Sequence, residues 1–138
     1  MVLESYGFME AGEWDLSERH KSKIEARLSR LADERVVYAF VVDNEVKYVG
    51  ICDSLNTVLK DRMSSQRFNK EMPHLIETTL KENRAVKIFA LKPEQVEYKG
   101  LRVDMVRGLE YPVIERLEIP EWNRILSNYK RQKRQDVR

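Results

Sequence analysis

The chain has 138 residues, of which 42% are hydrophobic and 35% are charged, a composition typical of a single globular domain rather than a disordered chain. No apolar stretch approaches the roughly 20 residues of a transmembrane helix, and the first residues lack the charged and apolar segments of a secretory signal. Because Cys52 is the single cysteine, the sequence excludes an internal disulfide, and we expect a cytoplasmic protein without membrane contact.

The positive charge is concentrated at the C-terminal end. Residues 124–138 hold six basic residues and one acidic residue, a net charge of +5, which leaves −3 for the remainder of a chain whose total is +2. Such a basic segment is typical of nucleic-acid binding, because each phosphate contact adds salt-dependent affinity, although a solvated terminus can have the same composition. We expect contacts to DNA, or alternatively to RNA, from Arg124, Lys130, Arg131, Lys133 and Arg134.

Residues 1–35 are predicted to form an N-terminal extension with a strand and a helix. Residues 6–14 contain two glycines and indicate a short strand or a loop. Asp15 and Glu18 then have the spacing of a capping box. From Leu16 onward, Ile24 and Leu28 recur at helical spacing among charged residues, which predicts an amphipathic surface helix.

The next segment predicts a β-hairpin followed by a helix. Val36–Val42 is an almost unbroken apolar run, and residues 46–51 form a second run after a short polar turn. Two such runs, rich in β-branched and aromatic residues and separated by Asp and Asn, are typical of a hairpin. Asp53 and Ser54 then supply a helix N-cap signal before apolar residues at helical spacing. This unit carries three polar candidates: Tyr38, Tyr48 and Arg62.

The remaining pattern alternates between helices and strands. Pro73 lies near the start of a second amphipathic helix, which Asn83 is expected to end, and residues 86–91 alternate like a strand. Residues 94–100 are ambiguous between loop, strand and turn, and a last helical stripe begins near Val113. The fold class is therefore predicted as α+β, with a small mixed or antiparallel sheet whose central hairpin is flanked by helices.

Most common catalytic motifs are absent from the sequence. There is no Ser/His/Asp arrangement, phosphate loop, dinucleotide fingerprint or zinc-ligand spacing. What remains is a series of Tyr, Tyr, Arg, Glu and Asn. Taken singly, each of these has a commoner structural role, such as a core tyrosine, a solvated arginine or a helix cap.

Taken together, the series resembles the GIY-YIG nuclease family. Val36-Val37-Tyr38 stands where GIY would be, and Tyr48-Val49-Gly50 stands where YIG would be, with the two tyrosines ten positions apart as is usual in the family. Arg62 lies on the helix that follows. The late segment also has the family's order of glutamate, apolar pair, proline and aromatic-Asn: Glu110, Val113-Ile114, Pro120 and Trp122-Asn123.

Two positions and one spacing depart from the family pattern. Val36 replaces the glycine of GIY, and Gln66 stands where the family often has a His or Tyr one turn after the arginine. The gap between glutamate and asparagine is one residue longer than the commonest form, which makes Glu115 a rival to Glu110. Pro112 favours Glu110, because proline is tolerated in the first helical turn and Glu110 would then lie in or just before that turn.

The resemblance implies hydrolysis of DNA phosphodiester bonds with one divalent metal ion, Mg²⁺ or Mn²⁺. Glu110 would be the metal ligand, since a single carboxylate with water and phosphate oxygens suits Mg²⁺. Arg62 would bind the phosphate as its negative charge grows in the transition state. The whole chain, 1–138, would be one such domain, with its catalytic core at 36–123 and its basic tail at 124–138.

The resemblance also gives roles to the other polar residues. Tyr38 would take or orient the proton of the attacking water, and Tyr48 would hydrogen-bond that water or the phosphate. Asn123 would hold the scissile phosphate or fix the glutamate. Lys47 and Lys60 are expected to contact the nucleic-acid backbone, and a homodimer that cuts both strands is compatible with this interpretation.

The main alternative is a catalytically degenerate nucleic-acid-binding or adaptor protein with the same fold. Its binding would come from the basic tail and from bases stacking on aromatic side chains. A third hypothesis is a protein-interaction module with no nucleic-acid role. The aromatic candidates for stacking are Tyr6, Trp14, Phe68 and Trp122.

Overall fold

The structure is a computed structural model that describes residues 1–18, 23–63 and 71–126, without the side chains of Arg62 and Met63. Within these residues, strands and helices alternate as the sequence predicts from Val36 onward. The strands are β1 (Met9–Leu16), β2 (Ile24–Leu28), β3 (Val36–Val42), β4 (Glu45–Cys52), β5 (Val86–Leu91), β6 (Val96–Tyr98) and β7 (Leu101–Val103); the helices are α1 (Val2–Ser5), α2 (Leu55–Thr57), which continues as a π-helical segment (Val58–Met63), α3 (Glu71–Lys81), α4 (Met105–Arg116) and α5 (Glu121–Ile125).

The helix predicted from Leu16 onward is wrong for the residues that the structure describes, because Leu16 ends β1 and Ile24–Leu28 form β2 of an antiparallel pair. The two strands pair with Trp14 opposite Ala26. Residues Ile24–Leu28 alternate apolar and charged, so they fit a strand period as well as a helix period. Asp15 caps no helix; its carboxylate lies 3.4 Å from the Arg27 guanidinium across the pair. Pairing with β1 has therefore overridden the local helical pattern.

The main sheet has five strands in the order β2-β1-β5-β3-β4, and every neighbouring pair is antiparallel. All seven residues of β3 are buried. The apolar run is unbroken because β3 lies inside the sheet with helices on both of its faces, so neither set of alternating side chains meets water. This arrangement is the α+β fold predicted from the sequence.

The two faces of the sheet have separate cores. Tyr38 and Phe40 point to one face, where they join side chains from α3, α5 and the π-helical segment. Val37 and Ala39 point to the other face, which α1 and α4 cover. The first core includes Trp14, Leu59, Met72, Ile76 and Trp122, and the second includes Leu3, Phe8, Val106, Val113 and Ile114.

The end of α3 agrees with the sequence signal, whereas the start of α4 does not. Asn83 follows α3 in a left-handed conformation, with φ of 62°, as expected for a helix stop. However, α4 begins at Met105, because the Asp104 side chain caps it by accepting a hydrogen bond from the Arg107 backbone N–H. Pro112 therefore lies inside the helix, and the inference that it marks the first turn near Glu110 was wrong.

Residues 96–103 form a separate two-stranded ribbon from the segment that the sequence left ambiguous. Lys99 and Gly100 make its turn with positive φ angles of 51° and 83°, the conformation of a two-residue hairpin turn. β6 and β7 pair with each other and not with the main sheet. In the part of the chain that the structure describes, no helix has the length and apolar character needed to cross a membrane.

Candidate active site

The Tyr38 side chain lies across the backbone of Gly50. The two residues are directly opposite each other in the β3–β4 pair. A Cβ atom at residue 50 would come within 2.7 Å of the Tyr38 hydroxyl oxygen and 2.8 Å of its ring, closer than real Cβ atoms approach their neighbours. The Tyr38 ring extends over β4 with only 1% of the residue exposed, so a side chain at residue 50 would have to displace a buried ring.

Tyr48 completes an aromatic pair with Tyr38. Their ring centroids are 6.0 Å apart, and Tyr48 stacks on Phe40 at 5.6 Å. Burial raises the pKa of both phenols, and that of Tyr38 is raised well above 10. The neighbouring Tyr48 hydroxyl adds to the rise in the pKa of Tyr38, whereas the Tyr38 hydroxyl opposes the rise in the pKa of Tyr48. Both side chains are therefore neutral phenols near pH 7.

The Glu110 carboxylate on α4 is near enough to the two phenols for its charge to act on them. Its negative charge contributes to the raised pKa of both Tyr38 and Tyr48. Burial raises the pKa of Glu110 itself above that of an ordinary glutamate. Glu115 is exposed on the same helix, about 140° around the axis from Glu110. Of the two rival glutamates, Glu110 is therefore the one whose charge acts on the tyrosine pair.

The buried Asn123 side chain is bound to the free edge of β4. Its Oδ1 accepts a hydrogen bond from the Val49 N–H, and its Nδ2 donates one to the Val49 carbonyl oxygen, each at 2.9 Å. β4 is an edge strand of the sheet, so no further strand pairs with these groups. Val49 lies between Tyr48 and Gly50, the residue opposite Tyr38 in the β3–β4 pair. Asn123 therefore holds β4 in place next to both tyrosines.

Arg35 makes a link between β4 and α4 that no sequence motif indicates. Its guanidinium forms ion pairs with Asp53 at the end of β4 and, at 2.6 Å, with Asp104 at the start of α4. Arg35 thus links the tyrosine hairpin to the helix that carries Glu110. The hydrogen bond from Arg35 holds the pKa of Asp104 below its usual value. No local signal predicts this contact, because the two partners are 69 residues apart in the chain.

The predicted nucleic-acid contacts are described only in part. Lys47 is 12% exposed at its side chain, and its ammonium lies 3.1 Å from Glu121 and 3.2 Å from Glu45. Lys60 and Arg124 are exposed on the π-helical segment and α5. The following lie outside the described residues or side chains: Arg62, Gln66, Phe68, Lys130, Arg131, Lys133 and Arg134.

Two of the proposed stacking residues cannot stack on bases in this structure. Trp14 is 1% exposed and Trp122 is 4% exposed. Trp14 packs edge-on against Phe40, with ring centroids 5.7 Å apart. Trp14 is on the buried side of β1, and Trp122 is on the buried side of the short α5 helix, so both indoles lie in the core. The prediction that these tryptophans bind nucleic acid was therefore wrong.

Comparison with known structures supports the fold described above. A glutamate-to-alanine mutant of bacteriophage T4 EndoII has a TM-score of 0.62 at 20% sequence identity, covering 88% of this chain and 95% of that chain. The restriction endonuclease HPY188I, in complex with product DNA, has a TM-score of 0.51 at 16% identity, covering 83% and 76% respectively. No protein-family model and no curated protein sequence matches the chain. The chain therefore has a fold that also occurs in nucleases.

Proposed function

We propose that this protein is a metal-dependent endonuclease of the GIY-YIG type that hydrolyses DNA phosphodiester bonds. The proposal is carried by one observation, which is that the phenols of Tyr38 and Tyr48 lie side by side on the β3–β4 pair and that the charge of Glu110 on α4 raises the pKa of both. These residues come from two adjacent strands and from a helix much later in the chain. The fold shared with a restriction endonuclease in complex with DNA supports DNA as the substrate.

The residues around Glu110 fit a magnesium or manganese ion. The described residues hold no group of three or more His, Cys, Asp or Glu side chains that could form a closed protein cage. Mg²⁺ keeps several waters and needs only one or two carboxylates with phosphate oxygens, and Glu110 can supply such a ligand. When bound there, the ion would offset the negative charge that develops on the phosphate.

The two tyrosines would orient the attacking water. Because the Tyr38 pKa is well above 10, Tyr38 is a hydrogen-bonding phenol at neutral pH and can give up its proton only when a nearby cation lowers that pKa. Tyr48 would use its hydroxyl to hydrogen-bond the water or the phosphate.

The remaining candidate residues would bind the phosphate or keep the tyrosine-bearing strand in place. Arg62 follows on the helical segment after the hairpin, and its planar guanidinium would bind two phosphate oxygens as their charge increases. Asn123 would act as a positioning residue, because its amide is engaged by the Val49 backbone. Lys60, Arg124 and the tail would contact neighbouring phosphates.

A plasmid assay tests the proposal. Supercoiled plasmid is incubated with the protein and Mg²⁺ or Mn²⁺, and nicked and linear products are measured over time. We expect cleavage to fall about 100-fold or more in Glu110→Gln and in Tyr38→Phe while DNA affinity is retained. Glu115→Gln and Tyr6→Phe are matched controls that should cleave at the wild-type rate.

The same assay separates the alternative functions. Binding to DNA without cleavage in either metal would support the degenerate nucleic-acid-binding protein and contradict the nuclease. Absence of DNA and RNA binding at low salt would contradict both and favour a protein-interaction module. Single-stranded DNA and RNA substrates run in parallel would identify the preferred nucleic acid.

A further inference from the structure

The β6–β7 ribbon has one apolar face and one charged face. Opposite residues in the pair are Val96 with Val103 and Tyr98 with Leu101, and their side chains share one face. Tyr98 and Leu101 are 62% and 68% exposed. The intervening pair, Glu97 and Arg102, points to the other face with opposite charges. The ribbon therefore presents a contiguous exposed apolar surface at its free end.

An isolated two-stranded ribbon is only marginally stable in water, and it needs packing against another element. Among the residues that the structure describes, β6 and β7 pair only with each other, and all six of their residues are exposed. A contiguous apolar patch rimmed by polar groups is characteristic of a binding surface. Tyr98 at this patch is a residue type that contributes strongly to interfaces.

The charges of the ribbon favour a second copy of the same ribbon as its partner. Lys99 stands at the tip, over the Tyr98 ring at 5.4 Å, and Glu94 stands at the base. The neighbouring Lys92 lies 3.0 Å from Glu34, so its charge is already paired and Glu94 adds an acidic group at the base. Two ribbons laid antiparallel on their apolar faces would place each positive tip against the other's negative base.

We propose that the chain forms a two-fold symmetric dimer through the apolar face of the β6–β7 ribbon. Such an interface uses the same patch on both copies, so it must be self-complementary in shape and charge. The ribbon can be self-complementary in this way, because the Tyr98–Leu101 pair of one copy would pack on the Val96–Val103 pair of the other. The charges of residues 94–103 also cancel, which disfavours a DNA-phosphate surface. Two acidic and two basic residues make up this balance: Glu94, Glu97, Lys99 and Arg102.

Sedimentation velocity across a range of protein concentrations tests the proposal without using any nuclease activity. We expect a concentration-dependent dimer in the wild type and a dimer weakened about tenfold or more in Leu101→Asp. Glu97→Gln, on the charged face, is the matched control and should dimerise like the wild type. Circular dichroism would confirm that these exposed substitutions leave the fold intact.

A charge reversal tests the antiparallel orientation. Lys99→Glu and Glu94→Lys should each weaken the dimer several-fold. Each change gives residues 94 and 99 the same charge, and the two-fold symmetry places these residues against each other at two points of the interface. The double variant should recover the wild-type dissociation constant, since residue 99 of one copy would again oppose residue 94 of the other with opposite charge.

Three outcomes would overturn the proposal. These are a wild type that stays monomeric at all concentrations, a dimer that Leu101→Asp leaves intact, and a double variant that fails to recover. If the wild type is monomeric and Leu101→Asp instead lowers DNA affinity, the ribbon is a nucleic-acid contact. Each result is independent of whether the plasmid is cleaved, so the dimer and the nuclease proposals can fail separately.

Discussion

The Tyr38 hydroxyl and the Gly50 backbone are so close that a side chain at residue 50 would have to displace the ring, because a Cβ atom there would lie 2.7 Å from the hydroxyl oxygen. The two residues are direct partners in the β3–β4 pair. The glycine of the Tyr48-Val49-Gly50 motif is therefore a steric requirement of the first tyrosine. The two motifs of the hairpin depend on each other through this contact.

Replacing Gly50 with alanine should displace the Tyr38 ring. We expect Gly50→Ala to lower plasmid cleavage about tenfold or more and to destabilise the fold by about 1–3 kcal/mol, the usual cost of overpacking a core. Urea unfolding and the plasmid assay measure the two effects. Gly108→Ala is the control, because its Cβ would meet nothing within 4 Å and alanine in a helix interior gains about 0.5–1 kcal/mol. Equal activity in both variants would contradict the steric argument.

Replacing Glu110 with glutamine should stabilise the protein while it abolishes cleavage. Burial raises the Glu110 pKa in the folded state, so the folded protein loses stability as the pH rises from the unfolded-state pKa through the higher folded-state pKa. Thermal unfolding of Glu110→Gln should therefore occur at a higher Tm than that of the wild type near pH 7. The difference should vanish below about pH 4, where glutamate is protonated in both states.

Exposed Glu115 provides the matched control for this measurement. Glu115→Gln should change the Tm little at any pH, because its carboxylate is exposed on α4. A wild type that is more stable than Glu110→Gln at pH 7 would mean that a favourable partner, rather than burial, dominates the environment of the carboxylate.

Removing the Asn123 amide should destabilise the β4 edge. Asn123→Ala leaves the Val49 N–H and carbonyl without the two hydrogen bonds they now make, and each buried unsatisfied group costs about 1–3 kcal/mol. We expect a lower urea midpoint and faster amide exchange at Val49. Asn123→Asp should restore only the bond from the Val49 N–H. An unchanged midpoint in Asn123→Ala would show that water replaces the amide.

Removing the basic tail should weaken DNA binding without unfolding the domain. Deletion of residues 130–138 removes five basic residues, and each lost phosphate contact reduces the slope of log affinity against log salt by about 0.9. Fluorescence anisotropy with duplex DNA at several salt concentrations measures this slope. If the slope is unchanged, the tail makes no phosphate contacts.

The central hairpin could be predicted from the sequence, whereas the pairing of β1 with β2 could not. The runs that became β3 and β4 are strongly β-forming and are joined by a short polar turn, so local pattern and final structure agree. Ile24–Leu28 fits both periods, and its strand conformation is decided by pairing with β1, a contact that no local pattern contains. Pro112 misled the prediction for α4, because the Asp104 cap starts that helix earlier.

The order of motifs indicates which residue types belong to the candidate site, but not the contacts that support them. Glu110 and the two tyrosines were named from that order, and their catalytic roles stay predictions. The ion pairs of Arg35 join segments far apart in sequence, so only the folded chain reveals them. Asn123 was expected to touch phosphate or glutamate, whereas its amide is engaged by the strand backbone.

The strand order β2-β1-β5-β3-β4 has a consequence for how the chain folds. The β1–β2 and β3–β4 pairs each join neighbouring segments, while β5 must enter between them and pairs Met9 with Ala90. Contacts this distant in sequence form slowly, because a large loop has to close first. We expect both strand pairs to appear early and the tyrosine site to become rigid only when β5 inserts and unites the two halves of the sheet.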